Sequence, residues 1–158
     1  MAFTLAWLFM PGVRMQAQVP DAKAIRAATS GQVAIFTRNV PDNLLPDYGF
    51  ANREEIGRST YGKPVPVYTL KDAQVIFTDT WRVPVLVGNE YRCLLTVVVE
   101  NGIYRAVDFG AVELAGAIQK NQTAKTTGML RVYEIKRDFL MEGPAQANPP
   151  LIPIEYNR

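Results

Sequence analysis

Between residues 81 and 107, three runs of β-branched and aromatic residues are separated by two dipeptides, Gly88-Asn89 and Asn101-Gly102. Both dipeptides suit the primed two-residue turns, whose central positions take positive φ, so the segment is expected to fold as a three-stranded antiparallel meander. This constrains the chain more than any other feature, because a meander commits it to an antiparallel sheet whose apolar faces need covering layers. Two-residue loops also set the register by counting. Val85 is expected opposite Arg92, Val83 opposite Leu94, Val98 opposite Arg105 and Thr96 opposite Val107. One face then carries Leu86, Tyr91, Cys93, Leu95, Val97, Val99, Tyr104 and Ala106, with Arg82 at its margin. The other carries Trp81, Val83, Val85, Leu94, Val98, Ile103 and Val107, interrupted by Arg92, Thr96, Glu100 and Arg105. Pro84 cannot donate to a ladder, which predicts residues 81–87 as an edge strand and residues 91–99 as a central one.

The rest of the chain supplies the cover. Ala111, Leu114, Ala115 and Ile118 recur at helical spacing directly after the meander, with Asp108 as the N-cap and Asn121 at the end. A helix over about 110–120 is therefore expected to roof the Cys93 face, with Gly116 letting its axis approach closely. Residues 22–28 follow Asp21 and are good helix formers, predicting a short N-terminal helix closed by Gly31. Residues 33–37 read as a brief strand, and residues 52–56 as a single helical turn. The two prolines of residues 63–70 favour an extended edge strand, since each biases the residue before it away from helix. Residues 129–141 alternate in the manner of a strand, and a Pro-rich stretch, 143–153, leads to a short last segment. The expected class is a single α+β domain over residues 18–158, with an antiparallel sheet of about five or six strands. The architecture resembles small helix-on-sheet modules such as cystatin-like domains, at the level of fold analogy; no cystatin motif residue has a counterpart here, so no site carries over.

Composition bounds the chemistry. The 158 residues contain no histidine and one cysteine, Cys93. A Ser-His-Asp or Cys-His arrangement cannot be assembled, nor a zinc site of the usual His/Cys type. No cofactor or metal is implied. The formal charge of +2 is spread without a basic cluster, which disfavours a nucleic-acid partner. Residues 2–10 are apolar and are followed by Pro11-Gly12, a length that suits the core of an export signal and is too short to span a membrane. Residues 1–17 are read as a signal peptide, although no Lys or Arg precedes the apolar run and Met15 is large for its place before a cleavage after Ala17. The alternative is an N-terminal core segment of a chain that is not exported. The export reading gives a periplasmic or extracellular protein with no membrane span in its mature chain.

Several motifs reduce to structural roles. Cys93 lies on the apolar face and reads as a buried core thiol. Asp108-Phe109-Gly110 matches a kinase metal-binding triplet, but no glycine-rich loop or His-Arg-Asp segment accompanies it. The carboxylates are scattered, Ser30 and Ser59 stand outside any nucleophile motif, and Asn121-Gln122-Thr123 matches a glycosylation acceptor, a short pattern frequent by chance. Trp81, Arg92, Thr96 and Arg105 are the candidate binding residues: they share the amphipathic face in the expected register, and Trp and Arg are enriched at binding hot spots. The alternative is that the arginine stems lie over a second apolar layer. The expected function is a non-catalytic exported binding or accessory module that presents a sheet face or edge strand to a protein or peptide partner in the cell envelope. Two others stay open: an enzyme relying on carboxylates or lysine, and a small-molecule carrier with a pocket between sheet and helix.

Overall fold

The computed structural model describes residues 21–145 and 148–156; the expected export segment, residues 1–17, lies outside the described residues. The Asp21 carboxylate accepts from the backbone N–H groups of Lys23 and Ala24 at 3.0 Å and opens helix α1, Ala22–Thr29. Gly31, at φ +70°, turns the chain into α2, Gln32–Thr37. The strand expected over residues 33–37 is thus a helix. Val33 and Thr37, one turn apart, are its buried pair, and packing at that spacing overrides the β-propensity of the segment. A 3-10 helix, Asp42–Tyr48, and the helical turn α3, Arg53–Gly57, complete this layer. Asn52 caps α3 by accepting from the Glu55 N–H at 3.0 Å.

The strands are β1 Thr60–Tyr61, β2 Val65–Lys71, β3 Gln74–Val87, β4 Glu90–Glu100, β5 Ile103–Gly110, β6 Thr126–Val132, β7 Arg137–Glu142 and β8 Leu151–Ile154. They form one sheet in the order β5-β4-β3-β2-β6-β7-β8, with β1 against β3; all pairings are antiparallel except β2 with β6. The α+β class and the mostly antiparallel sheet are as expected, but the sheet has eight strands rather than five or six. Residues 129–141, expected as one strand, contain the hairpin between β6 and β7.

Neither of the two proline-bearing strands expected at an edge lies there; the edge strand that does carry a proline is β8, with Pro153. β2 lies between β3 and β6, and its pairing with β6 runs from Val67 to Thr69, beyond both prolines. β3 lies between β2 and β4. Toward β1, Pro84 serves only as an acceptor, taking the Gly62 N–H at 2.8 Å. β4 is internal, as expected.

Two β-bulges correct the expected register. Leu86 pairs with Tyr91 but Val85 pairs with Cys93, leaving Arg92 as an extra residue. Val97 pairs with Ala106 but Thr96 pairs with Asp108, leaving Val107 extra. Val83 consequently meets Leu95 rather than Leu94, while Val98 meets Arg105 as expected. Because side chains alternate with period two, a one-residue slip sends a whole strand's set to the other face. Trp81, Val83 and Val85 therefore join Cys93, Leu95 and Val97 on one apolar face.

That face is roofed from the N-terminus, by Ile25, Val33, Leu45, Phe50 and Ile56. It is not roofed by α4, Val112–Asn121, which packs on the opposite face through Leu114, Ala115 and Ile118 against Leu94, Val67, Met129 and Leu140. Asp108 does not cap this helix, since it belongs to β5; α4 starts from Ala111 at φ +51° and has no side-chain cap. Nor does Gly116 serve close approach. It points outward, and a Cβ there would meet nothing within 4 Å.

Candidate functional site

The helix α4 covers only part of its face. Gly110 pairs with Leu94, while near the other end of α4 Gln119 accepts from the Tyr91 N–H at 2.9 Å and donates to the Asn89 carbonyl at 2.7 Å. The helix thus runs from the level of Leu94 back toward the Gly88-Asn89 turn. Ahead of its N-terminus the same sheet face continues uncovered, and one rung across three strands there reads Arg82, Thr96, Asp108. An open cleft of about 760 Å³ lies over this rung, with α4's first turn on one side and the β6–β7 hairpin on the other. Its volume is in the range of ligand-binding clefts, roughly 300–1,000 Å³.

Two arginines in the cleft differ in how they are satisfied. Arg131, on β6, faces Asp138 on β7 and makes a bidentate pair with it, 2.8 Å for each bond. Asp138 is buried, and it also accepts from the Tyr156 hydroxyl. This fork raises the Arg131 pKa above its ordinary value, chiefly through the hydrogen bonds to Asp138. Arg82 has a weaker partner: its Nη1 donates to the Thr96 hydroxyl, and its buried Nε finds no acceptor among the described residues. No described carboxylate lies within ion-pair distance of it. Burial, and after it the like charge of Arg131, push the Arg82 pKa down, opposed by Asp108 and Asp138. An arginine nevertheless remains charged at neutral pH. The cleft thus presents a cation that the protein itself only half satisfies.

Around that cation the lining is balanced. Asp47, Asp108 and Glu113 supply negative charge, and Arg131 and Lys136 further positive charge. The N-terminus of α4 adds backbone N–H groups, since an uncapped helix leaves its first donors without intrahelical partners. Among the described residues no group of three or more Cys, Asp or Glu could hold a metal.

The structure separates the four residues chosen from sequence. Trp81 is fully buried on the opposite face, at 4.9 Å from the Phe77 ring and 5.3 Å from that of Tyr104. Arg92, the bulge residue, is tied to Glu55 of α3 at 3.0 Å and to Glu90 at 3.2 Å, beside the N-terminal layer. Arg105 is exposed and paired with Glu100 at the outer end of β5. Only Thr96 adjoins the cleft, through its hydroxyl beneath the Arg82 guanidinium. The expectation that the four share one face is corrected by the bulges, which carried Trp81 across. The same slip hid Arg82, placed at the margin of the wrong face, and Asp108, taken for a helix cap. Arg131 and Tyr156 were missed because the β6–β7 turn was not recognised.

The other motifs have structural places. Phe109 stacks between Phe36 and Tyr48, at 5.3 and 4.9 Å, so the Asp-Phe-Gly triplet ends a strand under the N-terminal layer. Cys93 is buried, and desolvation pushes its thiol up to about 12. Asn121 is partly buried at the end of α4, donating to the Ala117 carbonyl at 2.8 Å.

Fold and cleft together define an α+β open-sheet protein with a charged cleft beside a crossing helix. Comparison with protein-family models, with curated proteins and with solved structures finds no match to this chain. Among the described residues no helix is long and apolar enough to cross a membrane.

Proposed function

We propose that the protein is a non-catalytic binding module that seats a segment of a peptide or protein partner in the cleft ahead of α4. The observation that carries this reading is Arg82, a charged guanidinium in an open cleft whose only hydrogen-bond partner among the described residues is a hydroxyl. An unsatisfied donor in a partly buried place is costly to the free protein, and a ligand that brings an acceptor to it relieves that cost. The cleft lining contains no serine, cysteine or histidine, which favours binding over nucleophilic chemistry. The exported location and cell-envelope partner follow from the reading of residues 1–17 and belong to the same proposal. A pool of hexapeptides carrying a benzophenone group tests the seat. Photo-crosslinks are expected on Tyr133, Lys136 or Val112 at the cleft. Adducts confined to Ile103 and Val107 at the β5 edge, or none at millimolar peptide, contradict the reading.

A further inference from the structure

We infer that the group received by Arg82 is a single carboxylate on a ligand whose remainder is neutral or cationic, the chemistry of a peptide C-terminus or of a small monocarboxylic acid. The inference rests on the binding reading above and gives it a ligand class. Three features converge. Among the described residues the Arg82 guanidinium has a buried Nε–H without an acceptor and no carboxylate within ion-pair distance, although its neighbour Arg131 has taken a carboxylate in a two-bond fork. Arginine's planar donors match a carboxylate's two oxygens, and the Arg131–Asp138 pair displays that match in the same cleft. The uncapped first turn of α4 borders the same space and offers backbone donors to the same charge.

The remaining charges set an upper limit on the anion. Asp47, Asp108 and Glu113 line the cleft beside Arg82, Arg131 and Lys136, and Asp138 already neutralises Arg131. With Asp138 counted, three cationic side chains face four carboxylates, so the site as a whole does not reward added negative charge: a single carboxylate brings one such charge and a doubly charged phosphate two, while a cationic remainder turns the lining carboxylates into partners.

Calorimetric titration of the full chain with four probes separates the cases: acetyl-tetraalanine with a free C-terminal carboxylate, the same peptide as its C-terminal amide, N-acetylalanine, and inorganic phosphate. The free acid is expected to bind at least about tenfold more tightly than the amide, the difference of one charge-assisted pair. Phosphate is expected to bind more weakly than the free acid. In the Arg82→Gln variant the acid is expected to fall to the affinity of the amide. Should that variant unfold, the Arg82 Nε–H resonance of the wild-type protein reports instead, shifting with the acid and staying put with the amide. Equal affinity of acid and amide, phosphate binding more tightly than the acid, or an acid preference that survives in folded Arg82→Gln overturns the inference. The two readings fail differently. If acid and amide bind equally in the cleft, the ligand class falls and the peptide seat stands; if N-acetylalanine binds as tightly as the tetrapeptide, the carboxylate stands and the peptide seat falls.

Discussion

Single side chains in this fold do work that their neighbours in sequence do not predict. Leu114 is 1% exposed between α4 and the sheet, so Leu114→Ala should cost about 2–5 kcal/mol in a denaturant melt, transfer and cavity terms together. That cost stands although the residue lies against Leu94 rather than beneath Cys93 and Leu95, because it depends on burial and not on which face is covered. Cys93 makes a pH prediction. Burial raises its thiol pKa from the ordinary 9.0 to about 12, so the folded state keeps a proton that the unfolded chain releases. Its contribution to stability is complete below about pH 9 and is lost as the pH climbs toward 12, since stability falls wherever the unfolded state binds fewer protons. Urea midpoints measured from pH 8 to 11 should decline in the wild type and decline less in Cys93→Ala. Parallel declines would refute a buried thiol.

At the scale of elements, the legible parts were those written in local chemistry. The Asp21 cap, the helical turn within residues 52–56 and the Gly88-Asn89 and Asn101-Gly102 turns each need particular residues at particular places, and each is present. The bulges at Arg92 and Val107 were illegible for the opposite reason: an extra residue inside a run of β-branched neighbours changes the pairing without changing the composition. The Asp72-Ala73 turn between β2 and β3 escaped as well, because Ala73 sits at φ +59°, where alanine is a poor advertisement of a turn. The parallel pairing of β2 with β6 joins segments some 60 residues apart in sequence, and no local pattern announces it. Two glycines test these elements in opposite directions. Gly49, at φ +89°, sits so close to the bulge that a Cβ would stand 2.3 Å from the Arg92 carbonyl oxygen, so Gly49→Ala should cost on the order of 2–3 kcal/mol. Gly116 faces open space within a regular helix, so Gly116→Ala should stabilise by about 1 kcal/mol. Thermal melts of the two variants should therefore move apart from the wild type in opposite senses.

The whole molecule is a sheet with two unlike roofs. The N-terminal helices roof one face around Trp81. The single helix α4 covers the other face only in part, which leaves the Arg82, Thr96, Asp108 rung at the floor of a cleft. The class of fold was readable from alternation and turns, whereas the site was not, since it depends on a register that two bulges alter and on a hairpin that brings Arg131 and Asp138 alongside. Amide hydrogen exchange of the full chain, with and without the free-acid tetraalanine peptide, tests this arrangement most directly. Slowed exchange is expected at Val112–Leu114 and in the β6–β7 turn, with the outer strand β5 from Ile103 to Val107 unchanged. Protection along that β5 edge, with the first turn of α4 exchanging as before, would contradict it.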